Sequence, residues 1–317
     1  MTKMYINAIS HYLPATLIDN SYYAEIRGIT DEWIFQRSGI KRRTRAAEDE
    51  NTHTMAIESI APVIGTLPYD VTDVDLIIGA TYTPYDTVGT LAHAVQGHFN
   101  IHSAAALTVS SACSSFVNAI EIVEGYFATG KSKKALVIAS EHNYIYADDD
   151  CDASAHLWGD GAGCVFISSE KCSADDIRIL DVHTAGLGHI GKGVAGVCLK
   201  PSNGGLTMPY GRDVFVHACK FMAAEAKDIV EKNNYILGDV NYLIPHQANS
   251  RIMDHVAKAL GVERSRVMSN IEDIGNTGCA STLICLSQNW QRFMKDDLIL
   301  VTVFGGGYSS GAMLLKK

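Results

Sequence analysis

Five short stretches rich in Leu, Ile and Val recur along the chain: Asp75 to Gly79, Ala135 to Ala139, Cys164 to Ser168, Tyr242 to Ile244 and Leu298 to Val303. Their length and near-continuous apolar character predict strands covered by helices on both faces. Apolar residues at helical spacing run from Cys113 to about Gly130, from Arg251 to Leu260 and from Cys279 to Phe293. Strand, helix, small-residue turn, long helix and strand thus occur in the same order twice. This echo predicts two α/β units packed together, divided into residues 1–170 and 171–317.

Between the halves, Ala185 to Gly205 is rich in glycine and reads as irregular and mobile, either a lid or a plain surface connection. Gly159 to Gly163 lacks the spacing of a nucleotide loop and runs directly into the strand at Cys164, which predicts a tight bend.

Of the 317 residues, 47% are apolar and 19% charged, which implies a large core or a buried subunit interface and excludes a disordered or fibrous chain. With 26 basic and 35 acidic residues the net charge is −9, which argues against a nucleic-acid binder; any acidic partner must find a local basic patch. Neither a signal peptide nor an apolar stretch of membrane-spanning length is present, so a cytoplasmic location without membrane contact is expected. The 8 cysteines are scattered without a C-x-x-C pair, and His93, His98 and His102 lack carboxylates at ligand spacing. Neither a disulfide framework nor a metal site is therefore expected.

Candidate chemistry lies at three turns. Cys113 sits in Thr108-Val109-Ser110-Ser111-Ala112-Cys113-Ser114-Ser115-Phe116, where a strand gives way to small residues and a helix. A helix start favours thiolate and can lower a thiol from about 8.5 to roughly 3.5–7.5, although a buried structural cysteine remains the alternative. His246 ends a strand in Pro245-His246-Gln247-Ala248-Asn249, and Asn276 stands in Gly275-Asn276-Thr277-Gly278. Each alone could be structural, the His a core residue and the Asn a helix cap or turn. Together they supply a nucleophile, an imidazole and a carboxamide at the mouths of elements where side chains can converge.

With these motifs in place, nearly the whole chain resembles β-ketoacyl-acyl carrier protein synthase III, of the thiolase-like condensing enzymes. The resemblance rests on Asp31 to Ile34 with Arg37 to Ile40, the Cys113 turn, Trp158 to Gly163, Pro245 to Asn249, Gly275 to Thr277 and Phe304 to Gly311. It implies a five-layered αβαβα fold of two thiolase-like halves, usually a homodimer. It also implies an acyl-Cys113 intermediate and a decarboxylative condensation with malonyl-carrier protein that gives a β-ketoacyl-carrier protein, with no cofactor. The backbone N–H groups of Cys113 and Gly306 would form the oxyanion hole, and His246 and Asn276 would hold the enolate. By the same resemblance Trp33, Arg37 and Asn249 mark the coenzyme A entrance, Val88, Leu157 and Phe304 the acyl pocket, and Arg251 and Lys258 the docking surface for the carrier protein.

Two departures bear on the substrate. Asp152 aligns where the family favours an arginine near the adenine, beside Asp148 to Asp150, and this predicts better use of acyl-carrier donors than of acetyl-coenzyme A. Val88 stands where a phenylalanine of the neighbouring subunit often closes the pocket, which predicts room for longer acyl chains. The densest basic run, Lys41-Arg42-Arg43-Thr44-Arg45, is a second docking candidate or else a solvated loop.

Rival readings are another thiolase-fold acyltransferase or specialised condensing enzyme, a Cys-His-Asn hydrolase and a non-catalytic partner subunit. The segment Gly305-Gly306-Gly307-Tyr308 lacks the second cysteine a degradative thiolase needs. No papain-type pattern surrounds Cys113. A non-catalytic subunit would be expected to lack the Cys, His or Asn. Fatty-acid, specialised lipid and polyketide synthesis all remain open.

Overall fold

The computed structural model describes residues 2–149, 151 and 154–317. Asp150 and Asp152, part of the expectation about the coenzyme A phosphate, lie outside the described residues.

The first half of the chain builds β1 (Met4–Tyr12), β2 (Thr16–Asp19), α1 (Asn20–Arg27), α2 (Asp31–Ser38), β3 (Arg42–Arg45) and α3 (Thr52–Ile64). It continues through β4 (Leu76–Ala80), α4 (Leu91–His98), β5 (Ala105–Val109), α5 (Ser115–Ala128), β6 (Lys134–Glu141) and β7 (Gly161–Ser168). Next come β8 (Ile177–Gly186), the short hairpin β9 (Cys198–Lys200) and β10 (Gly205–Thr207), and α6 (Gly211–Lys232). The chain closes with β11 (Tyr242–Pro245), α7 (Ser250–Leu260), α8 (Ile271–Ile274), α9 (Ser281–Gln288), β12 (Leu298–Gly305) and β13 (Ser309–Lys316).

Nine strands form one sheet in the order β11-β12-β13-β8-β1-β7-β6-β4-β5, joined in the middle by a short antiparallel pairing of β1 with β8. On one side β4 pairs parallel with β5 and β6, while β6, β7 and β1 pair antiparallel. On the other, β11 pairs parallel with β12, and β12, β13 and β8 pair antiparallel. Where β5 flanks β4 in the first pattern, a lone bridge from Leu243 to Val267 flanks β11 in the second.

Alternation along the strands divides the core. Leu76, Ile78, Val137 and Ala139 face a central cluster with Val117, Ile120, Leu283 and Ile284, whereas Ile77, Leu136 and Ile138 face Ala56, Ile60 and Val95. Likewise Ile299, Val301 and Val303 point to the centre, and Leu298 and Leu300 to Met222, Ile252 and Val256. Period-two strands therefore bury both faces, and the layers run α3/α4, sheet, α5/α9, sheet, α6/α7: a thiolase-like αβαβα architecture.

The expected helix from Cys279 to Phe293 is broken into a 3-10 turn at Gly278–Ala280, α9, and a second turn at Trp290–Arg292. Asn289 ends α9: its side chain donates to the Cys285 carbonyl at 2.8 Å and its own carbonyl accepts from Arg292 N–H at 2.9 Å. The glycine-rich connection is also more ordered than its composition suggested. It carries β9 and β10, tied to the body by a hydrogen bond from Leu206 N–H to the Tyr146 carbonyl at 2.7 Å.

Candidate active site

Cys113 sits two residues before α5, on a turn whose preceding residue, Ala112, has a φ of 50°. A left-handed alanine costs on the order of 1 kcal/mol or more, and such a backbone persists only where its surroundings hold it. Three serines supply the hold. Ser115 Oγ donates to the Ala112 carbonyl at 2.6 Å and accepts from Ser111 N–H at 2.7 Å. Ser114 Oγ reaches the Ser111 carbonyl at 2.8 Å and lies 2.6 Å from Ser309 Oγ. The small hydroxylated residues around the cysteine thus brace a strained elbow.

Across from the elbow, β12 turns into β13 through Gly305-Gly306-Gly307. A β-carbon on Gly305 would lie 2.7 Å from the Ser111 carbonyl oxygen and 2.9 Å from Cys113 N, so only glycine lets the two backbones approach this closely. The N–H groups of Gly306 and Cys113 lie close enough to the Cys113 sulfur to favour its thiolate.

These donors do not give the low thiol pKa expected from a helix start. Enclosure by protein, followed by the negative charge of nearby Glu141, outweighs them and pushes Cys113 up to about 12. Local context revealed the donors; what it could not reveal was the wall assembled around the thiol from other segments. Alkylation of Cys113 by iodoacetamide is therefore expected to speed up about tenfold per pH unit from about pH 6 to 9 without levelling, because only the thiolate reacts. A plateau below about pH 8 in peptide-resolved labelling would contradict this.

His246 follows β11, and its backbone N–H extends the parallel pairing by donating to the Thr302 carbonyl at 2.8 Å. Its Nδ1 lies 2.8 Å from Ser281 Oγ at the start of α9, which leaves Nε2 for a ligand. Ser281 Oγ also accepts from Gln247 N–H at 3.4 Å, an arrangement that turns the hydroxyl proton toward Nδ1 and favours the tautomer with N–H at Nε2. Burial lowers the imidazole to about 4, so it is neutral at neutral pH.

Asn276 is held by its backbone. Its N–H donates to the Leu157 carbonyl at 2.8 Å, and its carbonyl accepts from Gly159 N–H at 3.0 Å. The Asn276 side-chain Oδ1 accepts from Gly278 N–H at 3.0 Å, which frees the Nδ2 end to donate elsewhere. The Gly159 bend read from the sequence is thus a docking strip for the Asn276 turn.

Cys113, His246 and Asn276 line one narrow cavity together with Trp158, Phe304, Gly305 and Gly306. A wider cavity of about 260 Å³ shares Cys113, Trp158, Val197 and Gly306 with it and extends along Tyr82, Leu199 and Leu206. The hairpin β9-β10 and its approach supply Val197, Leu199 and Leu206, so the glycine-rich segment walls the site.

The peripheral residues are placed unevenly. Arg37 stacks over the Trp33 ring at 4.0 Å, and Trp33 meets His156 edge-on at 5.4 Å. Asn249 caps α7 by accepting from Arg251 N–H at 2.8 Å, and its Nδ2 donates to the Arg37 carbonyl at 2.7 Å. Each end of that amide is thus engaged by the protein, which ties the start of α7 to the end of α2. Phe304 borders the narrow cavity rather than the wide one, and Leu157 borders neither; it packs with Ile40, Trp158 and Met253. Val88 is 87% exposed on a loop that also exposes Tyr85, away from both cavities of this chain.

Arg251 and Lys258 are exposed two turns apart on α7, with Arg251 near the Phe215 ring at 5.8 Å. The basic run at 41–45, by contrast, is absorbed by the fold. Lys41 pairs with Glu272 at 2.6 Å and Arg42 with Asp273 at 2.9 Å, while Arg45 stacks on Tyr144 at 3.5 Å. Arg43 is 1% exposed and donates to Asn20 and to the Ile18 and His156 carbonyls.

Glu141, Tyr82, Asn143 and Ser281 belong to the site although no motif marked them. Glu141 is fully buried at the end of β6, accepts from Thr81 Oγ1 at 3.1 Å, Thr83 N–H at 3.1 Å and the Thr83 hydroxyl, and is raised by burial to about 7. A carboxylate closing the apolar run from Ala135 was the available signal.

The family model for 3-oxoacyl-[acyl-carrier-protein] synthase III matches residues 107–188, and that for its C-terminal region matches residues 230–317. A β-ketoacyl-[acyl-carrier-protein] synthase III of Deinococcus radiodurans is 33% identical over 98% of this chain and 94% of its own. One from Clostridium perfringens is 34% identical over 96% of each. Among solved structures, a 3-oxoacyl-[acyl-carrier-protein] synthase III from Aquifex aeolicus superposes with a TM-score of 0.92 at 32% identity, covering 99% of this chain and 100% of that one. A priming β-ketosynthase from a polyketide pathway gives 0.89 at 26% identity, covering 99% and 96%.

Proposed function

Because the chain belongs to the 3-oxoacyl-[acyl-carrier-protein] synthase III family, we propose that it condenses an acyl thioester with malonyl-carrier protein through Cys113. The observation that carries this reading is the convergence of Cys113, His246, Asn276 and the Gly306 backbone on one cavity. The Cys113 sulfur attacks the thioester carbonyl carbon through its small thiolate fraction, the thiol's proton ending on the departing carrier or coenzyme sulfur, and the developing oxyanion accepts from the N–H groups of Cys113 and Gly306. The carrier or coenzyme thiolate leaves, and the acyl group stays on sulfur.

Malonyl-carrier protein then loses CO₂. The electron pair of the broken C–C bond forms an enolate, whose oxygen accepts from His246 Nε2–H and Asn276 Nδ2–H. A neutral imidazole suits this task because it donates without needing a proton from solvent, and its depressed pKa keeps it neutral. Collapse of the enolate drives its carbon onto the acyl-Cys113 carbonyl, expelling the thiolate and releasing a β-ketoacyl-carrier protein. No step requires a cofactor.

The stacked Trp33 and Arg37 suit an adenine at the entrance, and Arg251 and Lys258 suit an acidic carrier protein. Replacing both α7 residues by glutamate is expected to raise the KM for malonyl-carrier protein about tenfold while turnover of a small thioester such as an acyl-cysteamine stays unchanged. An unaltered KM would remove α7 from the docking surface. The exposed apolar residues Tyr85 and Val88 support a homodimer that covers this loop. The repeated strand pattern supports a division at about residue 170, and no helix of the described residues is long and apolar enough to cross a membrane, in keeping with a cytoplasmic enzyme. Supplying an acyl-coenzyme A or acyl-carrier donor with malonyl-carrier protein tests the function directly. CO₂ release with formation of β-ketoacyl-carrier protein is expected, and an acyl donor hydrolysed without condensation would overturn it.

A further inference from the structure

The turn that carries Gly306 is held from outside. Tyr308, its last residue before β13, has a φ of 24°, a left-handed backbone that a residue with a β-carbon keeps only where its surroundings impose it. Tyr308 is buried, with its ring against Phe304 at 5.0 Å and His217 at 5.6 Å. Its hydroxyl donates to Asp213 Oδ1, in the first turn of α6, at 2.6 Å, and its carbonyl accepts from Leu187 N–H at 2.8 Å. The same Oδ1 accepts from Lys192 N–H at 2.9 Å. Donation by the Tyr308 hydroxyl, and after it by Lys192 N–H, holds the Asp213 carboxyl below the usual carboxylate range, so both hydrogen bonds run to a charged acceptor at neutral pH.

The glycine-rich segment is therefore pinned at Leu187 to the turn and at Lys192 to α6, and its glycines let it lie close. A β-carbon at Gly191 would fall 2.6 Å from Asp213 Oδ1, and one at Gly196 would fall 2.6 Å from a Tyr308 ring carbon. Directly after Gly196, Val197 covers Gly306: a β-carbon on Gly306 would lie 2.9 Å from Val197 Cβ. We infer that Asp213 and Tyr308 are positioning residues that latch the glycine-rich segment onto the Gly306 turn and keep the Gly306 N–H aimed at the oxyanion formed during acyl transfer to Cys113. The inference rests on the reading of Cys113 as the acylated residue. Neither side chain borders the wide cavity or the narrow one, so both act through the turn and not on the acyl group itself.

The test uses the full-length protein and compares two reactions of Cys113, both read by peptide mass. Acylation by an acyl-cysteamine thioester passes through an oxyanion, whereas alkylation by iodoacetamide displaces iodide and forms none. Tyr308→Phe, which loses only the hydroxyl, is expected to lower the maximal acylation rate about tenfold while alkylation stays within about threefold; outright loss of an oxyanion donor costs more, about 10² to 10³. Asp213→Ala should do at least as much, and Asp213→Asn, which keeps an oxygen acceptor for both donors, should hold acylation within about threefold of the wild type. An unchanged acylation rate in Tyr308→Phe, an equal fall in acylation and alkylation, or a change confined to the half-saturating thioester concentration would overturn the assignment. Amide hydrogen exchange over residues 187–197 reads the latch without any acyl donor. It should quicken at least about threefold in Tyr308→Phe and further in Asp213→Ala, and unchanged exchange would equally overturn the assignment. If Asp213→Ala does not fold, Tyr308→Phe decides both readouts. A wild type that no thioester acylates, with exchange quickened in the variants, would leave the latch standing and overturn the condensing function instead.

Discussion

Replacing Cys113 by alanine is expected to abolish β-ketoacyl product, a loss of at least about 10⁴-fold, because nothing else at the site can take over as nucleophile. Cys279 is the nearest rival in the sequence, on the Asn276 turn. It is fully buried, its thiol donates to the Ala80 carbonyl at 3.3 Å, and burial with Glu141 alongside holds it strongly protonated. The variant should fold, since the serine hydroxyls and the close approach of Gly305 hold the elbow and alanine keeps both. Product formation by Cys113→Ala at more than a trace, measured with the wild-type thermal midpoint retained, would remove the residue from the mechanism.

The second large effect separates the two half-reactions. His246→Ala and Asn276→Ala should each lower condensation by about 10² to 10³, the usual cost of losing one donor to a developing oxyanion, while acyl loading of Cys113 persists. Loading should survive because the donors proposed for it are the backbone N–H groups of Cys113 and Gly306, which neither substitution touches. The double variant should fall short of the product of the two losses, since both donors serve one oxygen. Loss of loading in Asn276→Ala together with condensation would instead mean that the Asn276 turn, docked on Leu157 and Gly159, had come apart.

Much of this site was legible in the chain because its parts lie at element ends. A strand running into His246, glycines around Asn276 and small residues around Cys113 are local signals, and the three residues converge on one cavity. Alternating burial could not be read within runs such as Leu76 to Ala80, since strands buried on both faces carry no polar phase. What escaped was long-range. Tyr82, Asn143 and Gly278 fit one another across distant segments, and none is unusual in its own neighbourhood. The basic run at 41–45 shows the same limit: charge density along the chain does not disclose that Glu272 and Asp273 stand opposite Lys41 and Arg42. Cys113 illustrates the point in energetic terms. Its favourable helix-start donors are local, whereas the enclosure that outweighs them comes from Tyr82, Trp158, Val197 and the glycine turn.

Peptide-resolved mass spectrometry of the wild-type protein, quenched after brief exposure to an acyl thioester without malonyl-carrier protein, tests the central claim most directly. The account predicts one acyl group per chain, on the peptide carrying Cys113, that disappears when malonyl-carrier protein is added and reappears as β-ketoacyl-carrier protein. Acyl mass on any other cysteine, or β-ketoacyl product formed with Cys113 never acylated, would contradict it.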